Sequence, residues 1–227
     1  MNEGVDRMGK ICFLCDYNGP VYKFFSKERY ADSLVSGNVH LGTLNKYRID
    51  EDDEQGDVGE GCQTYFSGNL AGGSNDPEFV EKARRANIGI GVGCINIKVE
   101  NCASTEFLED AYAFCTSTEY SPENMSKAIG QDYCVKIKDP RKFFEAVSKK
   151  LNSISAIRKA EMGKVIYSDR HYTGLEEPSG PIGFVKPVFP YGKQKEFRFL
   201  WHMQSVDKLE SFRISCPEIS KLCERIS

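Results

Sequence analysis

Apolar and polar residues alternate over many short stretches of this chain, and a spacing of two predicts β-strands. The first stretch, Val21–Phe25, is rich in aromatic and β-branched residues, and a second covers residues 39–44. Between them we predict a short helix with Ser26 as its N-cap and Gly37 at its end. Further strands are predicted at residues 88–99, 111–118, 133–137, 164–167, 184–189 and 197–201.

Helical spacing is confined to a few segments. Asp139-Pro140 is typical of an N-cap and first turn, and the apolar residues that follow share one helical face: Phe143, Phe144, Val147 and Leu151. Asp76-Pro77 predicts a shorter helix, and a C-terminal helix is predicted from Pro217. Since strands dominate without regular strand–helix alternation, the pattern predicts an α+β fold with a split or strongly curved mixed sheet and a few flanking helices.

The composition is that of a folded protein. The 227 residues are 40% hydrophobic and 28% charged, and we predict a loose N-terminal arm over residues 1–19 followed by a single domain over 20–227. The net charge of -3 disfavours generic nucleic-acid binding. No apolar run approaches the roughly 18 residues of a membrane span, and no signal peptide is evident. We therefore expect a cytoplasmic location and no membrane partner.

Several familiar sites are poorly supported. The nine cysteines are odd in number and irregularly spaced, which favours reduced thiols, and Cys12-x-x-Cys15 is at best half of a zinc site. His171 has a polar context, but no Gly-x-Ser-x-Gly segment accompanies it. Glycines 89, 91 and 93 do not open a helix, so the usual dinucleotide and Walker motifs are absent. No metal is predicted.

The most informative segment is Lys195-Glu196-Phe197-Arg198, because an extended strand there sorts its residues onto two faces. Phe197, Phe199 and Trp201 share one face, which predicts burial, whereas Glu196 and Arg198 share the other. Partial burial beside a guanidinium would make Glu196 a candidate site carboxylate. The alternative is a solvent-exposed ion pair of little consequence.

Three separated stretches of sequence together suggest a family. They are an opening strand with Tyr22-Lys23-Phe24, a middle strand with Cys115-Thr116-Ser117-Thr118, and the late Lys195-Glu196-Phe197-Arg198 strand. Over residues 20–202 this order resembles the three-part signature of the ADP-ribosyltransferase superfamily, and it is most similar to uncharacterised bacterial and phage families thought to share that fold.

The resemblance implies an NAD site and assigns roles to its residues. Glu196 would be the catalytic carboxylate that stabilises an oxocarbenium-like ribose, and the other nucleotide-contacting residues would be Tyr22, Lys23, Arg48, Thr116, Ser117 and Arg198. The protein would then transfer ADP-ribose to an acceptor of unknown identity, or hydrolyse NAD, and the phage families among its likenesses suggest a role in conflicts between phages and bacteria. The alternative functions are a non-catalytic module that senses or sequesters a nucleotide, and an interaction domain.

An acidic segment, residues 50–60, carries seven carboxylates. An EF-hand is excluded because Cys62 falls where the loop requires a bidentate Glu. Two other interpretations of the segment remain, a solvated acidic loop and a Ca²⁺ or Mg²⁺ site of less regular geometry. Following the resemblance, we prefer a role in which Arg48 turns toward the nucleotide, while Asp57 and Glu60 order the loop or meet a second substrate.

Overall fold

The computed structural model describes residues 9–49, 56–123, 132–204 and 208–227. The sequence predicts one domain from residue 20, whereas the contacts in the structure group into two compact units. Unit 1 contains the described residues of 1–60, 109–165 and 189–227, and unit 2 those of 61–108 and 166–188. Each unit is described by itself.

Unit 1 contains most of the strands and three of the described helices. Its strands are β1 (Lys10–Phe13), β2 (Val21–Phe25), β3 (Asn38–Thr43), β8 (Tyr112–Ser117), β9 (Tyr133–Ile137), β10 (Ile157–Lys164), β14 (Glu196–Met203), β15 (Phe212–Ser215) and β16 (Cys223–Arg225). Its α-helices are α1 (Glu28–Val35), α2 (Leu44–Ile49) and α4 (Pro140–Asn152), and 3₁₀ turns cover Tyr191–Gln194 and Pro217–Leu222.

Unit 2 is built from short strands. They are β4 (Cys62–Phe66), β5 (Asn69–Gly72), β6 (Ile97–Glu100), β7 (Ala103–Phe107), β11 (Ile166–Tyr167), β12 (His171–Thr173) and β13 (Val185–Lys186). They form a β12-β4-β7 sheet and the pairs β5-β6 and β11-β13. Helix α3 (Pro77–Arg85) starts as the sequence predicts, with the Asp76 carboxylate accepting from the backbone N–H groups of Glu78 and Phe79.

The nine strands of unit 1 form one mixed sheet. Its path is β1-β10-β14-β8-β2-β9-β16, with β1 parallel to β10 and the other neighbours antiparallel; β3 pairs with both β8 and β15. Strand β8 meets β2 at Ser117 but meets β3 at Tyr112 and Ala113. The two strands therefore diverge along one edge of β8, and the sheet is split at this point. The predicted α+β class with a mixed sheet is confirmed.

Helix α4 packs its apolar stripe on one face of this sheet. Phe143 and Phe144 are fully buried, and their rings lie 5.6 and 5.8 Å from that of Phe199 on β14. The indole N–H of Trp201 donates to the Ser148 hydroxyl at 2.7 Å, which satisfies the one polar atom of a fully buried ring. The predicted burial of alternate β14 residues is confirmed, and the opposite face of the strand is left for Glu196 and Arg198.

Two predictions near the N-terminus are wrong in detail. Residues 9–19, predicted as part of a loose arm, include β1, which adds an edge strand to the sheet beside β10. Ser26 does not cap α1: the helix begins at Glu28, and the N-cap residue Lys27 makes no side-chain capping bond. Hydrogen bonding along a sheet edge, which composition alone does not reveal, orders Lys10–Phe13.

Two further predictions fail for reasons of backbone geometry. The strand expected over residues 88–99 is reduced to β6, because Gly93 and Asn96 adopt positive φ angles of 81° and 56° that interrupt an extended chain. The helix expected from Pro217 is a 3₁₀ turn followed by β16, which pairs with β9 at the sheet edge. Strand pairing overrides the helical spacing of the last ten residues.

A buried acid on β10 gives the fold a pH dependence. Glu161 contacts Lys159 at 2.8 Å and His202 at 3.3 Å. Burial raises the pKa of Glu161, but the bonds to His202 and Lys159 outweigh it and the net shift is below the ordinary 4.5. A lowered folded-state pKa stabilises the fold above the unfolded-state value, and this stabilisation is lost as pH falls through the folded-state value.

We therefore expect wild type to exceed Glu161→Gln in free energy of unfolding above about pH 5. The gap should narrow steadily toward pH 3, as measured by urea denaturation at each pH. Glu109→Gln, which removes an exposed ion pair with Arg158, should lower the free energy of unfolding far less at every pH. A gap between wild type and Glu161→Gln that widens on acidification would contradict the assignment.

Candidate functional site

The three sequence motifs of interest fall on neighbouring strands in matching register. Strand β14 places Glu196 opposite Ser117 of β8, and β8 in turn places Ser117 opposite Tyr22 of β2. Residues directly opposite in a ladder project from the same face, with Cβ atoms about 5 Å apart. Tyr22, Ser117 and Glu196 therefore form one row across three strands.

Thr116 does not join this row. It lies opposite Phe197, and its hydroxyl donates to the Phe197 carbonyl at 2.8 Å. Because successive strand residues point to opposite faces, Thr116 is on the side of the sheet that packs against α4. The structure thus brings Ser117, but not Thr116, to the predicted position.

Arg198 anchors a buried ionic network beside this row. Its Nε donates to Glu196 Oε1 at 2.8 Å, while Nη1 and Nη2 donate to the two carboxylate oxygens of Glu60 at 2.5 and 3.0 Å. All three side chains are at most 4% exposed. Burial lowers the pKa of Arg198, but the carboxylates of Glu196 and Glu60 raise it by more. The pKa of Arg198 is therefore well above its ordinary value. The exposed ion pair weighed as an alternative for Glu196 is excluded.

The segment that carries Glu60 is fixed by its own contacts. The Asp57 backbone N–H donates to the Tyr47 carbonyl at 2.8 Å, and the Asp57 carboxylate accepts from the Gly59 N–H at 3.1 Å. Arg48 Nε donates to the carbonyl of Glu60 at 2.6 Å. Asp57 and Arg48 thus hold the turn in which Glu60 reaches Arg198. Residues 50–55 of the acidic segment lie outside the described residues.

Lys23 follows Tyr22 on β2 and therefore does not join the row, but its side chain lines the split in the sheet. Its ammonium lies 5.3 Å from the ring centroid of Phe114 and 5.9 Å from that of Phe25. Desolvation lowers the pKa of Lys23, and the charges of Cys115 and Glu196 act in the opposite direction. A cation held among aromatic rings, with a carboxylate nearby, suits contact with an anionic or electron-rich ligand.

Sequence reasoning missed Tyr47 and Cys115. The Tyr47 hydroxyl and the Cys115 thiol share a hydrogen bond, and burial first, then the charges of Cys115 and Glu196, raise the pKa of Tyr47 well above 10.0. A Cβ added at Gly42 would lie 2.7 Å from the Tyr47 hydroxyl oxygen. The signal in the sequence was Gly42 itself, since a glycine inside a strand often marks a close approach by another group.

A pocket of about 400 Å³ opens where β2 and β3 diverge from β8. This volume is at the lower end of the range for small-molecule sites. Lys23 and Tyr47 belong to its wall, so the pocket adjoins the ionic network. The full lining comprises Lys23, Phe24, Phe25, Ser26, Tyr30, Ser33, Leu34, Asn38, His40, Gly42, Lys46, Tyr47, Phe114 and Arg213.

Other chemistries find little support in the described part of the chain. No group of three or more His, Cys, Asp or Glu side chains there is arranged to hold a metal ion. The nine cysteines all lie in described ranges, and none of them forms a disulfide. His171 is 59% exposed and lies 3.2 Å from Asp169, in a surface pair. Within the described ranges, no helix has the length and apolar character needed to cross a membrane.

Comparisons with protein-family models, curated proteins and solved structures find no match to this chain. Functional inference therefore depends on the geometry of the site.

Proposed function

We propose that the protein has an ADP-ribosyltransferase-like fold and binds NAD or a related nucleotide at the face of β2, β8 and β14. The observation that carries the proposal is the single row formed by Tyr22, Ser117 and Glu196. In the superfamily that the sequence resembles, these three motifs share one nucleotide site. The split between β2 and β3 and the adjoining pocket also support a ligand at this position.

In this proposal Glu196 is the catalytic carboxylate. As the bond between ribose C1′ and the nicotinamide nitrogen breaks, its electron pair leaves with nicotinamide and positive charge develops on the ribose. A fixed carboxylate that is shielded from bulk solvent stabilises that charge in the transition state. Water or an acceptor nucleophile then bonds to C1′ and loses its proton. Tyr22 and Ser117 flank the ring, and Lys23 contacts the nucleotide.

Arg198 and Glu60 position this carboxylate. The bidentate bond to Glu60 fixes the guanidinium, and Nε of Arg198 then holds Oε1 of Glu196 at 2.8 Å. A carboxylate held in this way needs little reorganisation during the reaction. Arg48 and Asp57 support the turn that carries Glu60, so the account assigns them to the loop and not to the nucleotide.

A second candidate function is nucleotide binding without turnover. The contact between Arg198 and Glu196 favours it, because a guanidinium in direct contact offsets part of the negative charge that the reaction would use. Such a protein would sense or sequester its ligand.

Titration with NAD distinguishes the two functions. We expect purified protein to bind NAD, measured by calorimetry, and to release nicotinamide, measured by chromatography over hours. Binding without release supports the second candidate. Absence of both, with ADP-ribose also failing to bind, would contradict the nucleotide site itself.

A further inference from the structure

The pocket at the sheet split is strongly basic. Its lining includes the basic side chains of Lys23, Lys46 and Arg213, together with His40. Its lining includes no carboxylate, and in the part of the chain that the structure describes no carboxylate forms an ion pair with Lys23, Lys46 or Arg213. Basic side chains in a globular protein with a net charge of -3 usually have acidic neighbours, so this concentration needs an explanation.

Four different elements supply these basic side chains. Lys23 lies on β2, His40 on β3, Lys46 on α2 and Arg213 on β15. Arg213 and His40 are directly opposite in the β15–β3 ladder, so their side chains project from the same face. A bound anion would offset the repulsion among the positive charges gathered there.

These basic side chains, which share one pocket lining, also shift the pKa values of neighbouring groups. Loss of solvent lowers the pKa of His40, and the charges of Lys46, Arg213 and Lys23 lower it further. Arg213 also contributes to a lowered pKa at Tyr30, where the hydrogen bond from Arg29 is the first cause. Lys23, Lys46 and Arg213 therefore act on the same small volume, with the His40 imidazole as an additional polar group.

The remaining walls are aromatic and apolar. Phe24, Leu34 and Phe114 are at most 3% exposed, and Phe25 and Tyr30 complete this part of the lining. A ligand with an anionic end and a planar or apolar end therefore matches the pocket. Arg213, whose guanidinium is a planar fork, suits a phosphate oxygen pair better than a single charged atom.

We propose that this pocket binds the diphosphate of the nucleotide, with Lys23, Lys46 and Arg213 as its cationic ligands. The three basic side chains suit the two negative charges of a dinucleotide's diphosphate, and the volume of about 400 Å³ fits part of a dinucleotide better than the whole molecule. The choice of a nucleotide rests on the proposed function, whereas binding of a diphosphate anion rests on the pocket alone. Lys46, His40 and Arg213 were not expected from the sequence.

The experiment uses full-length protein and four probes: pyrophosphate, ADP-ribose, AMP and adenosine. By calorimetry, wild type should bind pyrophosphate and ADP-ribose more tightly than AMP, and adenosine weakly, with affinity for the anions falling as salt rises. Lys46→Gln and Arg213→Gln should each weaken pyrophosphate binding about tenfold, and Lys46→Glu/Arg213→Glu should abolish it. Both positions are exposed, so the variants are expected to fold.

Lys149→Gln, which removes an exposed cation from α4, is the matched control and should bind pyrophosphate as wild type does. The pocket assignment is overturned if wild type fails to bind pyrophosphate, or if the double variant retains wild-type affinity. Anion binding without NAD turnover would leave this assignment intact while opposing catalysis. NAD turnover that is unchanged in the double variant would support catalysis but overturn the assignment of the diphosphate to this pocket.

Discussion

Glu196→Gln should reduce nicotinamide release from NAD by at least about 10²-fold while leaving NAD affinity within about tenfold of wild type. The amide has the shape of the carboxylate but lacks the charge that stabilises the ribose cation. The fold should persist, because Arg198 keeps both of its bonds to Glu60. Release is measured by chromatography under single-turnover conditions, and affinity by calorimetry.

A matched control is available one strand away. Glu161 is also a buried acid on the same face of the sheet, since it pairs with Leu200 two residues from Arg198. Glu161→Gln should therefore retain nicotinamide release at neutral pH. Equal turnover in Glu196→Gln and wild type would remove Glu196 from the chemistry.

Arg198→Met should lower the free energy of unfolding by about 3–5 kcal/mol. The change leaves the carboxylates of Glu60 and Glu196 in the protein interior without their shared cation, and removing one member of a buried ion network is costly. Chemical denaturation at pH 7 provides the measurement.

Two comparisons separate this effect from the loss of any arginine. Arg158→Met removes an exposed ion pair with Glu109 and should leave the denaturation midpoint unchanged. Arg198→Lys keeps the charge but not the bidentate fork, so its stability should lie between those of wild type and Arg198→Met. Similar stabilities for the Arg158 and Arg198 methionine variants would show that the network contributes little.

The core of unit 1 is largely readable from the sequence. The alternation of β14 and the helical spacing of α4 each predict an apolar face that needs an apolar partner. In the structure the two faces pack on each other, with Phe199 against Phe143. The Asp139-Pro140 pair likewise predicted an N-cap, and in the structure the Asp139 carboxylate accepts from the Lys142 N–H at 2.9 Å. Local signals of this kind depend on a few neighbouring residues, so a single sequence contains them.

The sheet edges and the site depended on distant pairings. No local pattern shows that β1 joins β10, or that Pro217 begins a turn before an edge strand. Glu60 was a candidate, but its partner Arg198 is 138 residues away and only the folded chain shows the contact. For the same reason, four separate elements contribute basic side chains to the pocket and none of their segments is unusually basic.

A structure of the protein crystallised with a non-hydrolysable NAD analogue tests the central claim most directly. We predict that ribose C1′ of the analogue lies beside the Glu196 carboxylate, between Tyr22 and Ser117, with its diphosphate at Lys46 and Arg213. An analogue bound on another surface, with the row of Tyr22, Ser117 and Glu196 left empty, would contradict the account.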